Sequence, residues 1–181
     1  MGFAQRLEVA KSFEMEVERY LCGRTSLVAK NGTEHTHPDF TDKIRFNSGR
    51  GAKFVRFAPD GVYLSTCGSV IHWEAKAGKH IEKDAYETYM AYNQMGCTVI
   101  LFVRAERVYC QRVERVGFIP SIDVVGKFAP ARRHPIDEDD WICPRGGHGY
   151  AGTGSGTPYR EIDLSSMRVV SDFDQVCGVA A

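Results

Sequence analysis

The chain lacks an excess of charge of either sign, because 23 lysines and arginines are matched by 23 aspartates and glutamates. The totals therefore give no electrostatic basis for a broad, non-specific coat of nucleic acid, and any basic surface must be local. Long apolar runs are also missing, since the longest, Val99–Val103, is far too short to span a bilayer. No basic-then-apolar leader precedes the first amphipathic segment. We therefore expect a cytoplasmic protein that does not insert into membranes.

Closely spaced cysteines are absent as well. The six cysteines lie at positions 22, 67, 97, 110, 143 and 177, and no two have the C-x-x-C spacing. This scatter indicates reduced thiols rather than a disulfide framework. We find no internal repeat, helix-turn-helix pattern or zinc finger. A length of 181 residues, with 43% hydrophobic and 25% charged residues, favours one globular domain with a modest extension.

The order of helix and strand patterns predicts an α/β fold with a mixed sheet flanked by helices. Apolar residues at every third or fourth position from Phe3 to Leu21 predict an amphipathic helix that ends at Gly23. The further predicted elements are a strand near 26–29, strands over 43–46 and 53–57, a hairpin of strands 62–64 and 69–77, a helix over 82–95, a buried central strand over 97–103 and an antiparallel strand over 108–113.

The composition changes beyond Gly117. Five prolines follow, and six glycines lie between Gly146 and Gly156. We therefore divide the chain into a core over residues 1–117 and an irregular C-terminal extension over 118–181 that packs on the core. Residues 159–170 are apolar enough to add a final strand or a short helix.

Candidate chemistry lies on the strand that contains Glu74 and Lys76. Alternation along a strand sends both side chains to one face, about 7 Å apart, and the apolar neighbours to the other. Asp60 ends an apolar segment at a turn, and a hairpin returning from that turn brings Asp60 beside Glu74. Two facing carboxylates need a cation between them, and Mg²⁺ (or Mn²⁺) takes one or two carboxylates plus waters and phosphate. A DNA phosphodiester is the expected substrate, and Lys76 would orient or deprotonate the attacking water.

One carboxylate on the first helix also requires an explanation. Helical geometry puts Glu14 between Val17 and Leu7 on the apolar stripe, whereas Glu16 and Glu18 project elsewhere.

These features together resemble the PD-(D/E)XK nuclease superfamily. Pro59-Asp60 is followed by thirteen residues and then by Glu74-Ala75-Lys76, and the resemblance spans roughly residues 1–113. It implies a restriction-endonuclease-like core, as in Holliday junction resolvases, and a deoxyribonuclease that leaves 5′-phosphate ends. It further implies that Asp60 and Glu74 hold the metal with the carbonyl of Ala75, and that Glu14 completes the site. Single-domain members often dimerise, so we also expect a homodimer.

Four more residues are candidates for contact with nucleic acid. Lys79 and His80 follow the motif strand and are placed for phosphate contact, although ordinary solvated loop residues are an equal alternative. In the fold that the resemblance implies, the helix after the motif borders the DNA cleft. Tyr86 and Gln94 on that helix are therefore candidates, with core packing as the favoured alternative for the tyrosine.

Other motifs leave rival interpretations open. A second Pro-Asp pair ends at Asp39, but no apolar strand leads into it, so we prefer Asp60. The glycine-rich stretch over 152–156 lacks the Lys-Ser/Thr of a phosphate-binding loop. Two rival functions remain: a catalytically inactive nuclease-fold module that binds nucleic acid or serves in an assembly, and a chain whose site lies in the glycine-rich tail. A zinc site is not favoured, because its candidate ligands match no standard spacing; they are His35, His37, Cys143 and His148.

Overall fold

A computed structural model describes residues 3–24, 27–31, 49–129, 134–144 and 157–178. Over these residues the chain is a mixed α/β fold. The helices are α1 (Phe3–Cys22), α2 (Arg50–Arg56), α3 (Lys83–Gln94), α4 (Ser121–Gly126) and α5 (Phe173–Cys177). The strands are β1 (Val28–Lys30), β2 (Gly61–Leu64), β3 (Val70–Lys76), β4 (His80–Glu82), β5 (Thr98–Arg104), β6 (Val108–Arg112), β7 (Gly117–Phe118), β8 (Tyr159–Asp163) and β9 (Arg168–Val169).

The strands form two sheets. The larger has six strands in the order β1-β2-β3-β5-β6-β9, and the smaller has three in the order β4-β8-β7. Within the larger sheet β3 and β5 are parallel, and the other neighbouring strands are antiparallel. The parallel pair is joined by a crossover that contains α3, as such a pair requires. The predicted fold class, a mixed sheet flanked by helices, is confirmed at this level.

Each face of the larger sheet is covered by its own core. On one face α1 and α5 pack through Phe13 and Phe173 against Trp73 of β3. On the other face α3 packs against β5, and the smaller sheet joins this second core. All five residues of Val99–Val103 are fully buried because their side chains alternate between the two cores. An unbroken apolar run is typical of such a doubly covered strand.

Most elements predicted from the sequence are confirmed. The first helix extends one residue beyond the predicted end, and the hairpin of β2 and β3 closes through a turn over 65–68. The helix before the central strand ends where Gly96 adopts a φ of 85°, a conformation that favours glycine. The first short strand lies at Val28–Lys30 rather than near 26–29. All six cysteines are unpaired, as predicted.

One predicted strand is wrong. Residues 53–57 belong mainly to a helix, α2, that follows Gly49. Phe54 lies within this helix, where its ring stacks on Tyr92 of α3 with ring centroids 4.8 Å apart, and Phe57 follows the last helical residue. The alternating charged and bulky residues that predicted a strand over 53–57 therefore belong mainly to a helix. A segment this short does not distinguish the two spacings. The strand predicted over 43–46 lies outside the described residues.

The C-terminal part of the chain contributes to both sheets. Strand β8 pairs with β4 and β7, and β9 pairs with β6 at the edge of the larger sheet, which confirms the strand expected within 159–170. Phe173 and Val176 of α5 are buried in the first core. Among the described residues, no helix combines the length and the apolar composition needed to cross a membrane.

Candidate active site

Hydrogen bonds and close packing hold the backbone at Asp60, which lies between α2 and β2. The Asn31 backbone N–H donates to the Asp60 carbonyl at 2.8 Å, and the Asn31 side-chain amide donates to the Pro59 carbonyl at 3.0 Å. A Cβ atom at Gly61 would lie 2.4 Å from the Ala29 carbonyl oxygen and 2.7 Å from the Trp73 ring. Only glycine fits there without displacing either neighbour. The sequence Pro-Asp-Gly therefore fixes the backbone position from which the Asp60 side chain extends.

The register of the β2–β3 hairpin brings Asp60, Glu74 and Lys76 together. Gly61 pairs with Trp73, which sets Asp60 opposite the next residue along β3. The Asp60 backbone N–H donates to Oε2 of Glu74 at 3.2 Å, and the Ala75 backbone N–H donates to Oδ2 of Asp60 at 2.8 Å. The Lys76 ammonium lies 2.7 Å from Oε1 of Glu74. The two acids and the lysine therefore form one hydrogen-bonded group.

Electrostatic strain is concentrated on Asp60. Burial raises the pKa of Asp60 well above its usual value, and the negative charge of Glu74 raises it further. The Ala75 N–H and the Lys76 ammonium oppose this rise without cancelling it. Because two carboxylates this close repel each other, the arrangement favours either a proton on Asp60 or an additional cation.

Lys76 stays protonated in this setting. Burial lowers its pKa, but the charges of Glu74, Glu82 and Asp60 outweigh the burial, and the net pKa is raised. Glu82 is the last residue of β4, immediately before α3, and it was not singled out from the sequence. The available signal in the sequence was an acidic residue six positions after Lys76. Three acids around one ammonium group leave the site with an excess of negative charge.

Tyr89 is a further residue of the site that the sequence interpretation missed. It lies in the middle of α3, is 1% exposed, and is close enough to Glu74 and Asp60 for their charges to act on its hydroxyl. Burial and the charges of Glu74 and Asp60 raise its pKa well above the usual value, so the hydroxyl keeps its proton. The sequence interpretation treated this tyrosine as core packing. A buried tyrosine hydroxyl usually has a hydrogen-bond partner. A tyrosine on the apolar face of this helix was therefore the available signal in the sequence.

Glu14 lies close enough to influence Asp60. It is half-buried on α1, between the buried residues Phe13 and Val17, and its charge raises the pKa of Asp60. Glu16, which was predicted to project elsewhere, forms an ion pair with Arg104. The two glutamates therefore have different environments although they are two residues apart.

The other predicted contact residues lie away from this group. The His80 Nε2 is 3.8 Å from Oε2 of Glu161 on the smaller sheet, and Lys79 is on the loop before β4. Tyr86 packs on the rings of Phe118 and Trp141, with centroid distances of 5.3 and 5.9 Å. Gln94 is exposed at the C-terminal end of α3. None of these contacts involves Glu74.

The rejected alternatives fall largely outside the described residues. This applies to Asp39, to the glycine-rich stretch and to three of the four zinc candidates, His35, His37 and His148. The fourth, Cys143, is half-buried, and its thiol donates to the Trp141 carbonyl at 3.7 Å.

Asp60 and Glu74 could hold a divalent cation, with the backbone of Ala75 in support. In an extended strand the N–H and C=O of one residue point to the same side, so the Ala75 carbonyl faces the Asp60 side of β3. Within the described ranges no group of three or more His, Cys, Asp or Glu residues is arranged to hold a metal ion. The protein would thus supply two carboxylates, which suits Mg²⁺ because this ion usually retains several waters.

The chain matches no protein-family model, and a search of curated proteins finds no significant match.

Proposed function

We propose that the chain is a metal-dependent deoxyribonuclease with a PD-(D/E)XK-type core that hydrolyses phosphodiester bonds in DNA. The observation that carries the proposal is the hydrogen-bonded group of Asp60, Glu74 and Lys76, in which Glu74 is buried and two carboxylates share too little positive charge. Buried ionised groups are normally paired, so an excess of carboxylates is unfavourable for stability. We therefore attribute the arrangement to the binding of a ligand that supplies positive charge.

The chain's own residues have separate tasks in this reaction. Asp60 and Glu74 would bind Mg²⁺ or Mn²⁺, which supplies charge neutralisation at the phosphoryl group and acidifies water. Lys76 acts as an ammonium group rather than as a general base, because its neighbours raise its pKa. Its charge orients the attacking water and stabilises the phosphoryl oxygens. Glu14 contributes further negative charge beside Asp60 and supports cation binding.

The architecture supports the assignment of the core. The motif hairpin of β2 and β3, the crossover through α3 and the parallel strand β5 have the order that the resemblance implies, and α1 covers the opposite face. We therefore propose a restriction-endonuclease-like core that acts on DNA. A homodimer follows only by analogy with single-domain enzymes of this type.

A cleavage assay tests this function. Linear, single-stranded and branched DNA are incubated with Mg²⁺ and the wild-type protein, beside Lys76→Ala and Asp60→Asn. We expect cleavage that leaves 5′-phosphate ends, lost on chelation of the metal and reduced about 10²-fold or more in both variants. Lys83→Ala is the matched control, because Lys83 also pairs with two acids, and those acids are more exposed than Glu74. Equal cleavage by wild type and both site variants contradicts the proposal.

A second candidate is an inactive nuclease-fold module that binds nucleic acid or serves in an assembly. One observation favours it: both oxygens of Glu74 already have partners, the Asp60 N–H and the Lys76 ammonium. The same samples separate the two functions. DNA binding without cleavage by the wild type indicates the inactive module.

A further inference from the structure

Helix α2 is basic and ends shortly before the candidate site. Its seven residues, Arg50–Arg56, include three basic residues and no acidic one. Arg56 is four positions before Asp60, so their Cα atoms are at most about 14 Å apart. The formal charge of the whole chain is zero, and a polyanionic substrate therefore needs a local basic surface. The composition and position of α2 meet that need.

Two ring contacts place α2 on the side of the larger sheet that carries Glu74. Phe54 of α2 stacks on Tyr92 of α3, and the Tyr92 centroid lies 4.9 Å from that of His72 on β3. His72 is two residues before Glu74, and alternation along a strand directs both side chains to the same face. The buried apolar residues of β3 belong to the first core, on the other face. Helix α2 and the Glu74 side chain therefore lie on one side of β3.

A single acid holds two cations of α2 side by side. The Lys53 ammonium is 2.8 Å from Oδ1 of Asp84, and Nη2 of Arg56 is 3.8 Å from Oδ2 of the same carboxylate. Asp84 lies in the first turn of α3, and its side chain is 18% exposed, whereas that of Lys53 is 42% exposed. The two cations are thus held in place while Lys53 stays open to solvent. Lysine and arginine are both common phosphate ligands.

The residue next to Asp84 supplies a comparison. Lys83 lies one position earlier on α3, but its ammonium is 3.1 Å from the carboxylates of both Asp137 and Asp139. Two acids around one lysine repel a phosphate, whereas two cations around one acid attract it. Neighbouring positions on α3 thus belong to clusters of opposite charge balance.

We propose that α2 binds the sugar-phosphate backbone of DNA through Lys53 and Arg56, beside the phosphodiester that is cut. This inference rests on the proposed function, because it places the bound strand next to Asp60 and Glu74. Contacts to phosphates carry no sequence information, so α2 fixes the position of the DNA rather than selecting its bases. The cations also offset the excess of acids around Lys76, which by itself would repel the strand.

The test measures how DNA binding depends on salt, because each phosphate contact that is lost reduces the slope of log Kd against log salt concentration by about 0.9. Binding of a labelled DNA duplex is followed by fluorescence anisotropy with a chelator present, so that metal-dependent cleavage is prevented. We expect Lys53→Gln and Arg56→Gln each to weaken binding and to lower the slope by about 0.9, and the double variant to lower it by about 1.8. Lys53→Arg and Arg56→Lys keep the charge and should keep the slope. Lys83→Gln should match the wild type.

The outcomes separate this inference from the proposed function. If both glutamine variants keep the wild-type slope, or if Lys83→Gln lowers it equally, the inference is overturned, while cleavage by the wild type with Mg²⁺ still supports the nuclease. An equal loss of binding in the charge-keeping variants assigns these residues a structural role and also overturns the inference.

Two further results concern the wild type. If the slopes fall as expected but the wild type cuts no DNA with Mg²⁺, the basic surface stands and the nuclease proposal fails. Because these contacts do not use the divalent cation, absence of DNA binding without metal overturns the inference. Absence of both binding and cleavage overturns both proposals.

Discussion

Two clusters in this protein have the same composition and opposite behaviour. The buried cluster consists of Lys76 with Asp60 and Glu74. The surface cluster consists of Lys83 with Asp137 and Asp139, whose carboxylates both lie 3.1 Å from the lysine. Each cluster as defined here combines one lysine with two acids, yet the pKa of Asp60 is raised and the pKa of Asp137 is lowered.

Solvent accounts for the difference. Burial tends to raise the pKa of Asp137, but the Trp141 N–H and Lys83 outweigh it. The side chain of Asp139 is 67% exposed. At Asp60 burial and the charge of Glu74 act in the same direction. An acid-lysine cluster is therefore a candidate cation site when it is buried and short of positive charge, and composition alone does not decide this.

The largest expected effect is on stability when the lysine is removed from each cluster. Lys76→Met leaves Glu74 buried without its ion pair, and we expect a loss of about 3 kcal/mol in the free energy of unfolding. Lys83→Met breaks a more accessible pair and should lose less than about 1 kcal/mol. Urea unfolding of both variants beside the wild type gives the two values. Equal losses would mean that the two clusters do not differ in the way described.

A divalent cation should stabilise the protein through the buried cluster alone. At a Mn²⁺ concentration one hundred times its dissociation constant, binding contributes about 2.7 kcal/mol. For a chain of this size each kcal/mol raises Tm by about 2–4 °C. We expect this rise in the wild type and in Asp139→Asn, and no rise in Glu74→Gln. A thermal melt with and without Mn²⁺ measures the rise in Tm. Loss of that rise in Asp139→Asn would place the cation at the surface cluster and contradict the prediction.

The smallest expected effect is an opposite pH dependence of stability in the two clusters. Because the pKa of folded Asp60 is above its usual value, the stability from protonated Asp60 is complete below that value and is lost as the pH rises through the raised pKa. The pKa of folded Asp137 is lowered, so its stability is present above the usual value and is lost as the pH falls through the lowered pKa.

Two amide variants measure these slopes. Asp60→Asn should raise Tm at neutral pH in the absence of metal, because the repulsion with Glu74 disappears while the Ala75 N–H keeps an acceptor. Asp137→Asn should lower Tm at neutral pH and change it little in acid. Tm is recorded between about pH 3 and pH 8. A lower neutral-pH Tm for Asp60→Asn would show that the Asp60 charge is not strained.

Features set by neighbouring residues in the sequence were predictable. The run Val99–Val103 identified the central strand, and alternation along β3 put Glu74 and Lys76 on one face, with the hairpin bringing Asp60 to them. The smaller sheet was not predictable, because its strands have two to five residues and pair His80 with Glu161 across the chain. Periodicity in so short a segment carries little information.

The missed parts of the site depend on how elements pack. The charges of Glu74 and Asp60 act on Tyr89 because of the way α3 packs, and no spacing in the sequence specifies that packing. Glu82 approaches Lys76 because the chain turns into β4 within a few residues. The wrong strand prediction over 53–57, where the structure has α2, has the same origin. Only the packing of Phe54 on Tyr92 of α3 distinguishes the helical spacing from the alternation of a strand.

The most direct test of the central claim is anomalous diffraction from a crystal of the protein with Mn²⁺. The account predicts one strong peak between the buried carboxylates, with oxygen atoms of Asp60 and Glu74 each about 2.0–2.3 Å away. A peak at Asp137 and Asp139 instead, or Asp60 and Glu74 closed on Lys76 with no peak between them at saturating Mn²⁺, would contradict it.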